Sequence, residues 1–259
     1  ELITQIEANR AIAKRGPLSG WDHAVRAVAF MERLSQEGIR SALEEARKAV
    51  AVAPDLGLAH AMIARMIPLD PTIWPQRPDD AQRREIHGHI GNNPVVLLYV
   101  VGAFIGLGDA EASLRLARRA VELNPNSPRS YFALGQACQV MGRTADAIAA
   151  FREQLRLAPH DLNRPHALTM LGVCLCIEGR PSEADVALDR ALALHPDNHI
   201  ALMFKAVAAA QQGREQATRD AVMQLREASP GITIDLHLRN MRALLRDHLA
   251  EAVATLRRL

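Results

Sequence analysis

The chain has 259 residues, of which 49% are hydrophobic and 3% aromatic, and 31 Lys and Arg against 29 Asp and Glu give a formal charge of +2. This near-neutral balance gives no electrostatic reason to expect a nucleic acid or an anionic membrane as a partner. No run of about 18 apolar residues is present, so we expect no membrane-spanning helix.

The first part of the chain predicts a lead-in helix followed by irregular helix pairs. Residues 1–18 are predicted to form a linker or capping helix, which Gly16-Pro17 ends. Residues 19–93 are predicted to hold the irregular pairs, with Ser19 or Asp22 as the first N-cap. Their helices are expected over 19–36, 39–52, 56–67 and 79–92.

A proline-rich insertion interrupts these pairs at residues 68–78. Four prolines in this stretch forbid a continuous helix and predict a loop. Trp74 lies in the loop, and a large aromatic there either anchors the loop against adjacent helices or offers a binding site.

The middle of the chain, residues 94–230, is punctuated regularly. Glycines at Gly108, Gly142, Gly179 and Gly213 and prolines at Pro125, Pro159, Pro196 and Pro230 both step by 34, 37 and 34 residues. Because the glycine and proline series share the same longer step of 37 residues, they predict four helix pairs with one short insertion. The helices are expected over 94–107 and 110–123, 128–141 and 144–157, 165–178 and 182–194, and 198–212 and 215–229. Residues 231–259 are predicted to form C-terminal capping helices with a polar outer face.

One of these pairs carries a recognisable set of residues at the spacing of a known repeat. The set is Tyr131, Leu134-Gly135, Ala147, Phe151 and Pro159. This helix–turn–helix period of 34 residues resembles the tetratricopeptide repeat (TPR). The resemblance implies an all-α fold, a TPR-like α-solenoid in which antiparallel helix pairs form a right-handed superhelix.

The order of segments resembles a narrower group. Trp21-Asp22, the proline-rich insertion and the segment PGITIDLHLRNMRALL at 230–245 occur together. They are similar to the C-terminal TPR region of bacterial winged-helix transcriptional regulators and class III adenylate cyclases. The resemblance implies a sensory or scaffolding arm of a larger signalling or transcription regulator in the cytoplasm.

The TPR resemblance also implies where a partner would bind. In such stacks the first helix of each pair lines the concave face with the residues one, four, eight and eleven places into that helix. These positions are Val95, Leu98, Gly102 and Ile105; Arg129, Phe132, Gln136 and Gln139; His166, Thr169, Val173 and Cys176; and Ile200, Met203, Val207 and Ala210.

This predicted lining is mostly apolar. It lacks the Lys, Arg and Asn set with which some TPR domains grip a C-terminal carboxylate. An apolar groove suits a protein or peptide partner such as an amphipathic helix, or another domain of the same chain. Two alternatives remain open: the helices curl tightly enough to bury the stripe, or the stripe forms a homodimer. With Phe132 and Met203 as anchors, Phe132→Asp or Met203→Asp is expected to abolish binding without unfolding.

Signatures of chemistry are scarce. The sequence contains no P-loop, nucleophile elbow, zinc-protease helix or dinucleotide fingerprint. We therefore predict no enzyme, no catalytic residues, no metal and no cofactor. His87 and His89 diverge on a helix, which disfavours a shared metal. His195 and His199 flank Pro196-Asp197, and His195 is interpreted as an exposed turn residue.

The three cysteines have neither metal nor redox spacing, and an odd number argues against a disulfide framework. We expect a reducing cytoplasm, with Cys138 as a small core residue. Cys174 and Cys176 are too poorly placed to hold one ligand together.

Three functional hypotheses follow. The first is a non-catalytic protein-interaction and regulatory module. The second is a small-molecule sensor that uses the groove or the Trp74 loop to control an upstream output domain. The third is nucleic-acid binding through the arginines of the last segment, although no aromatic residues alternate with them. These arginines are Arg239, Arg242, Arg246, Arg257 and Arg258.

Overall fold

The computed structural model describes residues 16–31, 36–67, 94–106, 108–160, 164–228 and 254. The predicted helices at 1–15 and 79–92, the Trp74 loop, His87, His89 and the capping segment with its arginines lie outside the described residues. Regular structure in the described ranges consists of helices, with no strand among them. Eleven α-helices lie within the described residues: α1 (Gly20–Met31), α2 (Gln36–Val52), α3 (Gly57–Met66), α4 (Pro94–Gly106), α5 (Ala110–Leu123), α6 (Pro128–Val140), α7 (Thr144–Leu157), α8 (Arg164–Ile177), α9 (Pro181–Leu194), α10 (His199–Gln211) and α11 (Glu215–Ala228).

Helix α1 begins with a reciprocal cap that uses both of the residues predicted as alternative N-caps, Ser19 and Asp22. The Ser19 hydroxyl accepts the backbone N–H of Asp22 at 3.1 Å, and the Asp22 carboxylate accepts the backbone N–H of Ser19 at 2.8 Å. Two otherwise unpaired donors are satisfied in this way, which fixes where the helix starts. Later helices use single caps from the side chains of Asp109, Ser127 and Asn198.

The turns inside the regular pairs end on the four glycines of the repeating series. Gly108, Gly142, Gly179 and Gly213 have φ angles of 66° to 74°, in the left-handed region that glycine adopts without steric cost. At Gly142 the chain reverses while the N–H of Arg143 donates to the carbonyl oxygen of Cys138 at 2.8 Å. This arrangement satisfies an end carbonyl of α6 and lets α7 fold back onto it.

The chain divides into two compact units, Glu1–Pro125 and Asn126–Leu259. In the first unit α1 packs on α2, α2 on α3, α3 on α4 and α4 on α5. In the second unit α6 packs on α7, α8 lies between α7 and α9, and α10 packs on α9 and α11. The first helices of neighbouring pairs also meet, because α8 contacts both α6 and α10.

Where the two helices of a pair touch, a glycine on one helix faces a large apolar residue on the other. A Cβ atom on Gly135 would lie 2.5 Å from the ring of Phe151, and one on Gly172 would lie 2.6 Å from Leu188. Phe151 and Leu188 are fully buried. The Leu-Gly dipeptide of the motif therefore removes a side chain so that the second helix can insert a large one.

The predicted bounds of the regular helices hold to within one residue. In the first unit, α1 is described over Gly20–Met31 and α2 over Gln36–Val52, and residues 32–35, which the first predicted helix includes, lie outside the described residues. Gly38, which lies between the predicted helices 19–36 and 39–52, is a buried residue in the first turn of α2. Glycine so close to a helix end interrupts little of the hydrogen-bond ladder, so it does not stop the helix.

Candidate functional site

The most prominent group on the first helices of the second unit centres on Phe132 of α6. Its ring lies 5.0 Å from that of His166 on α8 in an edge-on contact, and 5.8 Å from that of Phe151 on α7 in a tilted contact. These distances are typical of favourable aromatic pairs. Phe132 is only half-buried, so part of a large, rigidly held ring still faces solvent.

His166 has a mixed environment. The residue is exposed overall, yet the side of its ring that packs on Phe132 loses water contact. This desolvation lowers the pKa of His166 below its usual value. The lowered pKa favours the neutral imidazole, which can contact an apolar side chain without the cost of burying a charge.

Several residues predicted to face a partner are instead covered by their own chain. They are Gln139, Thr169, Val173, Cys176, Met203 and Val207, all of which are buried. Met203, the predicted second anchor, is 1% exposed. At these positions the structure agrees with the alternative prediction, a stripe buried by neighbouring helices. These residues are therefore not part of the candidate surface.

The predicted groove residues are buried because α8 and α10 approach each other closely. The Asn198 side chain donates to the Thr169 hydroxyl at 3.1 Å, and Thr169 donates to the Pro165 carbonyl at 2.8 Å. The Gln211 amide donates to the Cys176 carbonyl at 3.0 Å. These hydrogen bonds hold the two first helices together at both ends, and the apolar residues between them have no room for a partner.

Five of the remaining residues at the predicted positions form what we call the second-unit face, and Ala210, which is half-buried, is not included. Arg129 is exposed, and Gln136 and Ile200 are half-buried like Phe132. The face is defined as Arg129, Phe132, Gln136, His166 and Ile200.

The first unit has a smaller equivalent, the first-unit face. Leu98, Gly102 and Ile105 lie at helical spacing on α4 and are half-buried. The side chain of Val95 lies outside the described residues. Arg65 of α3 reaches across Gly102, because a Cβ atom there would lie 3.1 Å from a guanidinium nitrogen of Arg65. Arg65 is half-buried, and within the described ranges no carboxylate pairs with it.

Arg65 was not among the predicted positions, although its spacing along the chain indicates it. Helix α3 begins at Gly57, and Arg65 lies eight places further, as Gly102 does from Pro94 in α4. The proline-rich insertion lengthens this repeat and hides the correspondence. With Arg65 included, both faces combine half-buried apolar side chains with one arginine and contain no carboxylate.

The other chemical candidates give no reactive site. Cys138, Cys174 and Cys176 are buried thiols. Burial raises the pKa of Cys174 to about 12 and also raises the pKa of Cys176, so neither is an activated nucleophile. His195 is exposed and its Nδ1 lies 2.9 Å from an Asp197 carboxylate oxygen, in keeping with a turn residue.

Metal binding and membrane insertion find no support in the described ranges. No group of three or more His, Cys, Asp and Glu side chains there could hold a metal ion. In the part of the chain that the structure describes, none of the helices combines the length and apolar character needed to cross a membrane.

The fold defines a class of protein: an all-α, TPR-like solenoid of helix pairs. The tetratricopeptide-repeat model matches residues 103–161, and the model of a domain of unknown function (DUF4192) matches residues 133–215. Each covers less than half of the chain. The TPR repeat expected from the sequence is confirmed, whereas the resemblance to winged-helix regulators and adenylate cyclases is not shown.

Individual relatives are distant. The cytochrome c-type biogenesis protein CycH of Rhizobium meliloti (strain 1021) is 28% identical over 146 residues, which is 56% of this chain and 37% of that protein. The chain therefore spans little more than a third of this relative's length.

Solved structures support the fold class. PilF of Pseudomonas aeruginosa superimposes with a TM-score of 0.61 at 20% identity, over 86% of this chain and 96% of that one. The APC/C hetero-tetramer Cut9-Hcn1 gives a TM-score of 0.72 at 15% identity, over 93% of this chain and 46% of that one. At such low identity these likenesses show the fold alone.

Proposed function

We propose that this chain is a non-catalytic protein-interaction module that binds a segment of another protein, or another domain of its own protein, through its first-helix faces. The observation that carries the proposal is Phe132, a half-exposed aromatic ring held in place by Phe151 and His166. Aromatic residues that are fixed before binding lose little conformational entropy on association and often dominate interfaces.

The chemistry of the faces indicates what the partner offers. Phe132 and Ile200 on one face, and Leu98 and Ile105 on the other, suit apolar side chains at helical spacing. Arg65, without a carboxylate partner in the described ranges, suits an acidic group beside Leu98 and Ile105 on the first-unit face. An amphipathic helix with apolar and acidic residues meets both requirements.

The cellular setting remains part of the proposal. The TPR-like fold fits protein partners, and we propose a scaffolding or sensory arm of a larger regulator in the cytoplasm, where buried thiols stay reduced. The relative that is named a cytochrome c-type biogenesis protein suggests assembly of other proteins as a second setting. The small-molecule sensor, which would use the groove or the Trp74 loop, remains a prediction.

Site-specific photo-crosslinking in the native host tests the proposal. A photoreactive residue replaces Gln136 on the second-unit face and, as a matched control, Met223, which is 58% exposed on α11. Protein adducts are expected at Gln136 and not at Met223. Equal adducts at both positions, or none at Gln136, would contradict binding through the first-helix face.

A further inference from the structure

A groove on the second helices of the second unit has no role in the proposed function. Helices α7 and α9 both pack on α8 and leave between them a cavity of about 430 Å³. This volume lies within the range of roughly 300 to 1,000 Å³ typical of ligand pockets. We call it the α7–α9 groove, and the first-helix faces contribute no residue to it.

The groove is apolar where it is deepest. Its floor is formed by Leu168, Leu171 and Leu175 of α8, all of them buried. Leu155 of α7 and Val186 of α9 line its sides. Val186 is 60% exposed, although a helix position facing water normally carries a polar residue. An apolar side chain entering the groove would cover Val186 and remove it from water.

The rim of the groove carries more positive than negative charge. Arg152 and Arg190 line the groove together with a single carboxylate, Glu183. Glu183 is already shared, because Arg152 of α7 lies 2.8 Å from it across the groove and Arg180 lies 2.6 Å away on the other side. Arg190 has no carboxylate partner in the described ranges. The rim therefore retains positive charge beside an apolar floor.

We propose that the α7–α9 groove docks a short segment of another protein in which an apolar side chain is flanked by acidic residues. The apolar side chain contacts the leucine floor and Val186, and a flanking carboxylate pairs with Arg190. Complementary charge selects this occupant over a basic segment, which would meet Arg152 and Arg190 with like charge. The surface is separate from the first-helix faces, so the chain holds two partner segments on different helices.

Peptide selection tests this proposal without a known partner. Random peptides displayed on phage are selected on the wild-type chain and counter-selected on the double variant Val186→Asp/Arg190→Glu. Both positions are exposed, so the variant is expected to keep the wild-type melting temperature. Counter-selection removes peptides that bind the first-helix faces, because those faces are unchanged in the variant.

The expected result is enrichment of peptides with an apolar residue beside Asp or Glu. Their synthetic forms should bind the wild-type chain at least about tenfold more tightly than either single variant, Val186→Asp or Arg190→Glu. Met223→Asp and Phe132→Ala should leave their affinity unchanged. Methyl resonances of Leu171, Leu175 and Val186 should shift on peptide addition.

Other results would overturn the proposal. They are failure to enrich any peptide against the double variant, enrichment of basic peptides, and enriched peptides whose affinity depends on Phe132. A dimer in sedimentation that Val186→Asp converts to monomer would show that a second copy of the chain occupies the groove instead.

Discussion

The imidazole of His166 meets the ring of Phe132 edge-on, with 5.0 Å between the ring centroids. The contact joins the first helices of two consecutive pairs, while Phe151 supports Phe132 from the second helix of its own pair. Phe132 is therefore held from two sides and still half-exposed. These contacts hold the ring of Phe132 in place without a partner.

The variant Met203→Asp tests whether Met203 is buried in the core or exposed in a partner-binding groove. Because Met203 is 1% exposed, Met203→Asp should lower the free energy of unfolding by roughly 3 kcal/mol or more, through burial of an unpaired carboxylate. Met223→Asp, at a position 58% exposed, should change it by less than about 0.5 kcal/mol. Urea unfolding monitored by circular dichroism measures both. A stable Met203→Asp variant would show that α10 opens toward solvent.

Two glycines give opposite predictions for the same substitution. Gly135→Ala places a Cβ 2.5 Å from the buried Phe151 ring, so we expect a loss of about 1–3 kcal/mol of unfolding free energy. Gly102→Ala meets only the movable end of Arg65 at 3.1 Å, so helix propensity should stabilise the chain by roughly 0.5–1 kcal/mol. Thermal unfolding of both variants is the measurement. Equal effects would mean that the Leu-Gly position does not set the spacing of α6 and α7.

A nearly buried carboxylate in the first unit predicts a dependence on pH. Burial disfavours the charge of Glu45, but hydrogen bonds from His23 at 2.8 Å and Lys48 at 3.0 Å outweigh this and lower the pKa of Glu45. A lowered folded-state pKa adds stability that is present above the unfolded pKa of about 4.3 and is lost as pH falls through the folded value.

Glu45→Gln should therefore cost about 2 kcal/mol at pH 7 and almost nothing once the pH is well below 4. Glu44→Gln is the matched control, because Glu44 also pairs with Lys48, at 2.7 Å, but its side chain is 69% exposed. That substitution should cost less than about 1 kcal/mol at any pH. Denaturant titrations at several pH values provide the comparison. A constant difference between wild type and Glu45→Gln would contradict the assignment.

The thiols give a chemical test of the core. With the pKa of Cys174 raised to about 12 by burial, almost no thiolate exists at pH 8. Iodoacetamide should leave Cys174 and Cys176 unmodified in the folded chain and label them fully in denaturant, as peptide mass spectrometry would show. Rapid labelling of the native chain would mean that α8 is not packed as described.

Local signals made the helix pairs predictable. A glycine at a left-handed turn such as Gly142, and a proline such as Pro159 at the end of a pair, act within a few residues, so sequence alone places the helix ends. The Leu134-Gly135 and Phe151 motif also predicts which helices pair closely. Gly38 is also a local signal, but a glycine in the first turn of a helix does not end that helix, so the predicted gap between helices at residues 37–38 was wrong.

The surface was less predictable because it depends on the distance between helices. Register indicates which side of α10 carries Met203, but not that α8 approaches closely enough to cover it. Arg65 was hidden by the irregular spacing of its repeat. The α7–α9 groove arises from the separation of two helices on a third, and no residue pattern encodes that separation.

The most direct test of the central claim, that the chain binds a protein partner through the second-unit face, is the yield of the photo-crosslink from position 136 in a Phe132→Ala background. Leu134→Ala is the matched control, because Leu134 is also half-buried on α6 but points away from Phe132. We predict that Phe132→Ala lowers the yield about tenfold while Leu134→Ala leaves it near the wild-type level. An unchanged yield in a folded Phe132→Ala chain would contradict the claim.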